Sequence, residues 1–309
     1  TFSRAFFRMF ALDRDLPITD SPELLATKHA SVLPAEVLHW LDPQPGQIIV
    51  DATLGAGGHT RLIAEKIGPT GKMISLDCDP FMIETAKKRL TNPNITFVHA
   101  SFDQLRQVLD ELNIPAVDGI LADLGICSDQ LDDSARGLSF QREGPLDMRL
   151  DPTRGMPASA LVAQLDERSL ADLIFQLGEE RFSRRIAKAI VLERKINSIR
   201  TTTDLAELVR RCVPRSGKID PATRTFQAFR IAVNCEMESL DSFLQLAPYC
   251  LKTEGRLVII SFHSLEDRKV KAAFKDTSRY LALTRKPVQA GEEEENRNAR
   301  SRSAKLRAA

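Results

Sequence analysis

The stretch Asp51-Ala-Thr-Leu-Gly55-Ala-Gly57-Gly58-His59 stands between a short apolar run and a segment with helical spacing. The apolar run, residues 48–52, predicts a strand, and residues 59–67 predict a helix. Glycines at such a turn let the backbone bend sharply and approach a ligand closely. In doubly wound α/β sheets, nucleotides bind in the crevice at the carboxyl end of the first strand. The stretch therefore predicts an α/β sheet with a cofactor site at this turn.

Strand and helix patterns alternate along the chain after this turn. Further strands are predicted at residues 73–76, 95–98 and 117–122, with helices at 80–90 and 103–112. This alternation is typical of a parallel sheet covered by helices on both faces.

The alternation stops between residues 136 and 224, where a loop rich in Gly, Pro, Arg and Asp precedes helical stretches. It resumes with a predicted helix at 226–246, a strand at 256–260, a helix at 265–274, and two weaker strands at 281–286 and 304–308. We therefore expect an α/β, Rossmann-like sheet interrupted by a mostly helical domain. The predicted division is an N-terminal arm, 1–28, a sheet domain, 29–135 and 227–309, and an inserted helical domain, 136–226.

The glycine turn excludes two common nucleotide sites. A dinucleotide fingerprint starting at Gly55 needs a glycine where Thr60 stands, and no G-K-[ST] follows for a Walker loop. S-adenosylmethionine fits better, because it carries a zwitterionic amino acid and a ribose but no phosphate. Asp51 and Asp77, at the ends of the first two predicted strands, would supply carboxylates for its amino group and hydroxyls. Gly55, Asp51 and Asp77 are therefore candidate cofactor contacts.

Two further polar residues are expected at the same crevice. Asp123 closes the fourth predicted strand, which lies beside the first in a sheet ordered 3-2-1-4-5. His263 follows the next strand and would lie beside Asp123. The alternatives are an N-cap role for Asp123 and a purely structural role for His263.

The charges of the chain are unevenly distributed. The 43 Lys and Arg nearly balance 42 Asp and Glu, which excludes a uniformly basic nucleic-acid coat, and 43% hydrophobic residues exclude a disordered tail protein. Residues 1–177 carry a net charge of −9, whereas 178–218 carry +6 and 268–309 carry +7. These two basic segments predict contact with a polyanion, although a solvated helix face and a solvated tail would have the same composition.

The predicted phosphate contacts belong to these basic segments and their surroundings. Helical spacing places Arg181, Arg184, Arg185 and Lys188 on one face of a helix. The full predicted set is Arg181, Arg184, Arg185, Lys188, Arg194, Lys195 and Arg224 in the insertion, and Arg297, Arg300, Arg302, Lys305 and Arg307 in the C-terminal segment.

Other features indicate the compartment and the kind of site. No apolar run approaches the ~20 residues that cross a bilayer, so no membrane contact is expected. The five cysteines are scattered without a C-x-x-C pair, and the histidines lack ligand spacing, so neither disulfides nor a metal are expected. Arg4 and Arg8, with no acid before Asp13, are typical of the remnant of an organellar transit segment. An amphipathic arm packed on the body explains this opening nearly as well.

With these motifs the chain resembles the RsmH (MraW) family of small-subunit ribosomal RNA methyltransferases. That family methylates the exocyclic N4 of a cytidine with S-adenosylmethionine, and the arginine-containing opening looks like that of a mitochondrial member. The resemblance runs from about residue 29 to the C-terminus. It is carried by eight blocks in order: His29-Ala-Ser-Val-Leu, Asp51-Ala-Thr-Leu-Gly-Ala-Gly-Gly-His59, Asp118-Gly-Ile-Leu-Ala-Asp-Leu-Gly125, Ser128-Asp-Gln-Leu-Asp132, Gly144-Pro-Leu-Asp-Met-Arg149, Gly178-Glu-Glu-Arg-Phe182, Pro221-Ala-Thr-Arg-Thr-Phe-Gln227 and Ser261-Phe-His-Ser-Leu-Glu-Asp-Arg268.

The resemblance implies a set of cofactor contacts and a partner. The implied contacts are Gly57, Gly58, His59, Asp77, Phe102, Asp123 and Gln130. The implied partner is small-subunit ribosomal RNA or the assembling small subunit, with a role in ribosome assembly and translation and a possible homodimer. One block departs from the family: where V-S-S-P-Q is usual, this chain has Ile126-Cys-Ser-Asp-Gln130, so the stiffening proline is missing and Cys127 replaces a serine.

The chemistry implied by the resemblance gives roles to the strand-end residues. A cytosine amino nitrogen is a poor nucleophile because its lone pair is delocalised, so positioning and electrostatics must carry most of the rate. We expect Asp123 to accept a hydrogen bond from the amino group, and His263 to orient the base or relay the proton. The cytidine must leave its stack to reach the cofactor. Candidate stacking partners are Phe140, Phe226 and Phe262.

Two other functions stay open from the sequence. One is a methyltransferase that acts on a protein or a small molecule, against which the basic insertion argues. The other is a non-catalytic RNA-binding assembly factor that keeps the cofactor pocket as a structural element.

Overall fold

The computed structural model describes residues 31–215 and 219–309. The predicted N-terminal arm and transit segment lie outside the described residues. None of the helices in the described ranges is both long enough and apolar enough to cross a membrane.

A six-stranded sheet forms the centre of the molecule, in the order β3-β2-β1-β4-β5-β6. The first five strands are parallel, and β6 runs antiparallel to β5. The strands are β1 (Ile48–Asp51), β2 (Lys72–Asp77), β3 (Ile95–His99), β4 (Val117–Asp123), β5 (Leu251–Ser261) and β6 (Lys305–Ala308). The predicted 3-2-1-4-5 order is confirmed, and it brings Asp51, Asp77 and Asp123 to one edge of the sheet.

The described residues also form thirteen α-helices, some of which cover the two faces of the sheet. They are α1 (Pro34–Leu41), α2 (Gly58–Ile67), α3 (Pro80–Arg89), α4 (Leu105–Glu111), α5 (Ser128–Asp132), α6 (Ala158–Gln164), α7 (Glu167–Gly178), α8 (Ser183–Glu193), α9 (Thr202–Cys212), α10 (Thr223–Val233), α11 (Glu236–Cys250), α12 (Ser264–Ala273) and α13 (Glu292–Arg297). One apolar cluster joins α4, α11 and α12 to the sheet, and a second joins α1, α2 and α3 to its other side. Because both faces are covered, the central strands are apolar almost throughout, as in β4.

The helices α6 to α10 form an insertion with its own hydrophobic core, which includes Ile174, Ile186 and Phe229. The predicted domain boundary after residue 226 falls inside α10. Phe226 and Phe229 of that helix are both buried in the core of the insertion. The structure therefore places this boundary after Val233.

The predicted single helix at 226–246 is wrong, because the chain breaks between α10 and α11. Cys235 has a left-handed backbone, with φ 50°. The side chain of Asn234 accepts from the Leu150 amide and donates to the Met148 carbonyl. These bonds tie the break between the two helices to the loop 148–150.

The two weak strands predicted near the C-terminus have different outcomes. Residues 304–308 are confirmed as a strand, β6. Residues 281–286 form no strand, and pairing begins later, where Val288 makes an isolated bridge with Leu306. The C-terminal segment is thus part of the sheet rather than a free tail.

Candidate active site

A pocket opens at the carboxyl edge of β1, β2 and β4, where the crevice was predicted. Seven of the residues predicted to bind the cofactor or carry out catalysis line it: Gly55, Gly58, His59, Asp77, Phe102, Asp123 and Gln130. Gly57, Asp51 and His263 are not in the lining. The structure thus gathers residues from five separate elements around one pocket.

The glycine turn forms one wall of this pocket. Gly55 and Gly57 both have left-handed backbones, with φ 49° and 82°, which a side chain would strain. A Cβ on Gly57 would lie 2.7 Å from Leu90 Cδ1, and one on Gly58 would overlap the Ser31 Oγ. Gly57 is therefore needed for the turn and its packing, whereas Gly58 is needed at the pocket itself.

Asp51 lies behind the turn rather than in the pocket. Its carboxylate accepts from the Thr60 hydroxyl at 2.7 Å and from the Thr53 amide at 3.2 Å. Thr60 also shares a 2.9 Å hydrogen bond with the Ser75 hydroxyl. Burial raises the pKa of Asp51 to about 6. Asp51 therefore holds the turn, and its contact with the cofactor, directly or through water, stays a prediction.

Asp77 lines the pocket directly, as predicted. Its two oxygens accept from the amides of Gly55 and Asp79, both at 2.8 Å. Burial raises the pKa of Asp77 to about 7, and the nearby Asp79 carboxylate adds to the rise. A cationic ligand beside Asp77 would favour the ionised form of this carboxyl group.

Asp123 and His59 face each other across the pocket. Asp123 Oδ2 lies 3.7 Å from His59 Nε2. Asp123 Oδ1 and His59 Nε2 are both buried and have no hydrogen-bond partner among the described residues. Burial raises the pKa of Asp123 to about 7 and lowers that of His59 to about 4, so the imidazole is neutral at pH 7. Unpaired buried polar atoms are costly, and their presence here indicates a ligand site.

Phe102 and Gln130 were expected only from the resemblance, and both lie in the pocket. Phe102 packs edge-to-face on Phe243, with the ring centroids 5.4 Å apart. The Gln130 amide donates to Asp79 at 2.8 Å and accepts from the Cys127 amide at 2.9 Å. The sequence alone could not predict that Phe102 and Gln130 line the pocket, because neither residue stands at the end of a predicted strand.

Cys127 stands where the family usually has a serine. Burial raises the pKa of its thiol to about 12, and its Sγ lies 3.3 Å from Met82 Sδ. The thiol is therefore protonated at neutral pH and unsuited to act as a nucleophile.

His263 lies beside the pocket but reaches it only through Glu266. Its Nδ1 accepts from the Glu266 amide at 3.4 Å, which caps α12, and its Nε2 lies 3.1 Å from Glu266 Oε1. Glu266 lines the pocket, whereas His263 does not. This geometry gives His263 a positioning role, and its direct contact with the base stays a prediction.

The carboxylates of Glu236 and Glu266 lie close to His263, within reach of a common ion. Both are already engaged, however. Arg230 donates to the two oxygens of Glu236 at 2.8 and 2.7 Å, and Glu266 Oε2 accepts from the Phe262 amide at 2.8 Å. We therefore describe this cluster as a network of ion pairs, and the absence of a metal stays a prediction.

The predicted RNA contacts in the insertion are exposed except Arg194, whose guanidinium donates to the Val162 and Leu165 carbonyls at 2.8 and 2.6 Å. The side chains of Arg181, Arg184, Arg185 and Lys188 face solvent on α8 or just before it, and no ion pair joins them to another described residue. Arg224 is also exposed and makes one long contact, 3.5 Å, with the Glu179 carbonyl. The basic face of α8 is thus available to an external anion.

The C-terminal basic residues differ from the prediction. Arg307 is buried and donates to Asp267 at 2.7 Å, and Lys305 lies 3.5 Å from the same carboxylate. Arg300 lines the cofactor pocket. These three cations are committed inside the fold, because β6 draws the segment into the sheet, and they are not a free RNA-binding tail.

Sequence reasoning missed several residues that line the pocket, among them Ser31, Glu236, Glu266 and Arg300. Glu266 stands in a quoted motif, so its position was visible although its role was not. Arg300 follows Asp123 by more than 170 residues, and only the pairing of β6 with β5 brings it to the site.

The polar groups that line the pocket are suited to bind S-adenosylmethionine. Two carboxyl groups with raised pKa values, Asp77 and Asp123, would be favoured in their ionised form by the cationic amino and sulfonium groups of that cofactor. The unpaired Asp123 Oδ1 and the glycine wall leave room for a ligand to approach.

Comparisons with known proteins are consistent with this geometry. The model of the MraW methylase family matches residues 26–309. The chain is 48% identical over 292 residues to a protein of Sorangium cellulosum named ribosomal RNA small subunit methyltransferase H, which covers 93% of this chain and 92% of that protein. Proteins with the same name from Koribacter versatilis and Acidobacterium capsulatum are 48% and 45% identical, with 91% of this chain covered in each case, and 93% and 98% of those proteins.

Among solved structures, an rRNA methylase from Streptococcus thermophilus aligns with 89% of this chain and 91% of its own, at 10% identity and a TM-score of 0.41. This likeness is too distant to add to the argument.

Proposed function

The chain belongs to the MraW methylase family, and we propose that it transfers the methyl group of S-adenosylmethionine to the exocyclic N4 of a cytidine in small-subunit ribosomal RNA. The observation that carries this proposal is the Asp123 carboxyl group, which lines the cofactor pocket with one buried oxygen unpaired. The names of the relatives support ribosomal RNA as the substrate.

Asp123 is the group that we assign to the amino nitrogen. In its ionised form, the carboxylate would accept a hydrogen bond from the N4 amino group and hold the nitrogen in place. The nitrogen loses one proton after methyl transfer, and S-adenosylhomocysteine is the leaving group. Bound S-adenosylmethionine supplies the methyl group from its sulfonium. The neutral His59 imidazole, 3.7 Å from Asp123, leaves the carboxylate free of a competing cation on that side. Fixed geometry of this kind lowers the barrier mainly through positioning and electrostatics.

The target base must be flipped out of its stack to reach Asp123. Of the three aromatic candidates for stacking, Phe226 is buried in the insertion and Phe140 packs edge-to-face against it, with centroids 4.8 Å apart. Phe262 is half-buried and lies 3.6 Å from the position of a Cβ on Gly125, a pocket residue. Phe262 is therefore the stacking partner that we propose.

The RNA is held outside the pocket, on the basic face formed by Arg181, Arg184, Arg185 and Lys188. Cations on this surface attract the phosphate backbone without reading its sequence. Hydrogen bonds join the insertion to α12, because the Glu179 carboxylate accepts from Arg268 at 2.8 Å and from the Ser264 hydroxyl. These bonds support a path along which one RNA substrate contacts both the basic face and the pocket.

The first experiment decides among substrate classes. The full chain is incubated with methyl-labelled S-adenosylmethionine and, in parallel, with ribosomal RNA, small-subunit proteins and a metabolite extract. We expect label in the RNA alone. Label in protein or in a small molecule would replace the proposed substrate, and RNA binding without any label would favour the assembly-factor alternative.

Location in the mitochondrial matrix and assembly as a homodimer also stay proposals. The location rests on Arg4 and Arg8 in residues 1–28, whereas the relatives named above are bacterial. Fusion of residues 1–28 to a fluorescent protein tests it, with import as the expected result and Arg4→Gln/Arg8→Gln as the control that should not enter. Sedimentation of the full chain tests the dimer.

A further inference from the structure

The C-terminal segment contacts the chain on two sides of the pocket, and its Arg300 lines the pocket. On one side, the Glu294 carboxylate accepts from the Leu33 amide at 2.7 Å, next to Ser31 and Val32 of the pocket lining. On the other side, Arg300 reaches the loop 124–128 that follows Asp123. The segment is anchored beyond these contacts by the pairing of β6 with β5.

Arg300 makes two contacts with that loop and one with an aromatic ring beside it. Its guanidinium donates to the Ile126 carbonyl in a short hydrogen bond and to the Ser128 hydroxyl at 3.4 Å. The same group lies 5.4 Å from the centroid of the Phe262 ring, in a cation–π contact. One planar side chain thus joins the loop to the aromatic ring that we propose for base stacking.

The loop needs such a support because its own sequence is permissive. Gly125 has a left-handed backbone, with φ 92°, and nothing except Phe262 lies within 4 Å of a Cβ built there. On its far side the loop continues into α5, where Asp129 pairs with Arg89 at 3.3 Å. Among the described residues, Arg300 is the one whose side chain donates a hydrogen bond to a carbonyl of the loop between Asp123 and α5. The acceptor is the Ile126 carbonyl.

Arg300 also affects the charge of Asp123. Burial dominates the raised pKa of Asp123, and the Arg300 cation acts in the opposite direction. The other groups that face Asp123 come from different elements: Asp51 on β1 and Glu266 on α12 raise its pKa, and His59 on α2 is neutral at pH 7. Arg300 is therefore the cation that favours the ionised carboxylate before the cofactor binds.

We propose that Arg300 is a positioning residue, which fixes the loop 124–128 and thereby keeps the Asp123 carboxylate aligned for the amino group of the target base. This inference rests on the proposed function of Asp123 and goes beyond it, because it assigns a catalytic contribution to a residue of the C-terminal segment. The planar fork of arginine can contact the carbonyl and the ring together, which the ammonium of lysine cannot do.

The test compares Arg300→Ala and Arg300→Lys with Arg285→Ala, an exposed residue of the same segment. The first readout is the single-turnover rate of methyl transfer between pH 5.5 and 8.5. We expect Arg300→Ala to lose about tenfold to a hundredfold in rate, as misplaced reacting groups do, and its pH midpoint to move upward. Arg300→Lys should lose rate with an unchanged midpoint, because it keeps the charge. Arg285→Ala should match the wild type.

The second readout does not depend on activity. Calorimetry of S-adenosylhomocysteine binding in two buffers of different ionisation enthalpy measures the protons exchanged at each pH. We expect the midpoint of this exchange to rise by about half a pH unit or more in Arg300→Ala, because a nearby cation is removed. If the wild type methylates no RNA, the proposed function fails while this midpoint still tests Arg300.

Two results would overturn the inference. One is an Arg300→Ala protein that behaves like Arg285→Ala in both readouts. The other is a uniform loss of rate with an unmoved proton midpoint and a lowered melting temperature, which would make Arg300 merely structural. If Arg300→Ala does not fold, Arg300→Lys alone decides, and a wild-type rate in that variant contradicts the role of the fork.

Discussion

Asp123 owes its chemistry to its surroundings rather than to its residue type. The carboxyl group ends a buried strand, so burial raises its pKa to about 7, and one of its oxygens has no partner among the described residues. A surface aspartate would be ionised and solvated, and would gain little from a new hydrogen bond. The buried group instead gains a partner when the amino group of a base arrives.

The first prediction concerns this acceptor. Replacing Asp123 by Asn removes the charge while keeping the shape, so cofactor affinity should fall as well, and the rates are therefore compared at saturating cofactor. We expect the rate of methyl transfer to fall by about a hundredfold or more, the usual cost of removing one electrostatic interaction from a transition state. Single-turnover kinetics at saturating cofactor measure the rate. Asp132→Asn, an exposed aspartate of α5, is the matched control, and equal rates in the two variants would remove Asp123 from the mechanism.

At this scale the sequence predicts the strand-end carboxylates well and the distant contacts poorly. Asp77 and Asp123 could be placed because the carboxyl ends of parallel strands share one edge of a sheet. Asp51 has the same position in sequence, yet Thr60 binds its carboxylate behind the turn. Arg300 could not be placed at all, since its position depends on the register of an antiparallel edge strand.

At the scale of elements, the glycine turn and the segment before α1 fit together tightly. Gly58 begins α2, and Ser31 fills the space where a side chain at position 58 would stand. Ser31 and Gly58 both line the pocket. The pair thus sets how closely a ligand can approach the first turn of α2.

The second prediction tests this fit with two substitutions. Gly58→Ala should weaken S-adenosylhomocysteine binding by about tenfold or more, because the new methyl group displaces the Ser31 hydroxyl into the pocket. Adding Ser31→Ala should restore most of the affinity, since the next atom, Ser31 Cβ, would lie 3.5 Å away. Calorimetry measures both affinities. A double variant as weak as Gly58→Ala would contradict the steric account.

The third prediction concerns the join between α10 and α11. Asn234 has hydrogen bonds to Leu150, Met148 and Arg230, so Asn234→Ala would leave backbone groups of the loop without partners. We expect a loss of about 1–3 kcal/mol in the free energy of unfolding. Urea unfolding measures it, with Asn197→Ala as the control, because the Asn197 side chain donates at the surface to the Glu193 carboxylate, and its removal leaves no loop backbone group unpaired. Equal effects would mean that the join needs no side-chain support.

This join also shows where periodicity is insufficient. The apolar spacing of residues 226–246 fits one helix, because neither Gly nor Pro marks the break at Asn234 and Cys235. The break is imposed by the loop 148–150, which lies more than 80 residues away in the sequence. Local patterns cannot report a tertiary constraint of this kind.

At the scale of the whole molecule, the acidic pocket couples stability to pH. Asp51, Asp77 and Asp123 have pKa values raised to about 6, 7 and 7, against an ordinary value of 3.8. The folded chain therefore binds more protons than the unfolded chain between about pH 4 and 7. Stability from these groups is complete below pH 4 and is lost as the pH rises through 7. His59, whose pKa is lowered to about 4, acts in the opposite direction below pH 6.5.

The fourth prediction follows from this balance. Without cofactor, the protein should be more stable at pH 6 than at pH 8 by about 1–2 kcal/mol, after the opposing contribution of His59. Urea unfolding at the two pH values measures the difference. Asp77→Asn should reduce it, because one titrating group is removed, whereas Asp132→Asn should leave it unchanged. Equal stability of the wild type at pH 6 and pH 8 would contradict the buried, protonated carboxyl groups.

The fifth prediction concerns the charge distribution. Replacing Arg181, Arg184, Arg185 and Lys188 by Gln should weaken RNA binding and reduce the slope of log K against log salt by about 0.7 for each phosphate that is no longer neutralised. Cofactor affinity should not change. The control replaces four exposed cations of α2 and α3, Arg61, Lys66, Lys87 and Lys88. An unchanged salt slope in the α8 variant, or the same fall in both, would remove α8 as the RNA face.

The near-zero net charge conceals two basic segments, as the sequence indicated, but these have different roles. The segment on α8 is exposed, whereas Arg300, Lys305 and Arg307 of the C-terminal segment have partners in the fold. Composition alone cannot separate these cases, because it does not show which cations meet a buried carboxylate.

The most direct test of the account is nucleoside mass spectrometry of small-subunit ribosomal RNA after incubation with this protein and methyl-labelled S-adenosylmethionine. We predict label in N4-methylcytidine, retained with Asp132→Asn and reduced about a hundredfold or more at equal incubation time with Asp123→Asn. Label in any other nucleoside, or equal labelling rates with Asp123→Asn and Asp132→Asn, would contradict it.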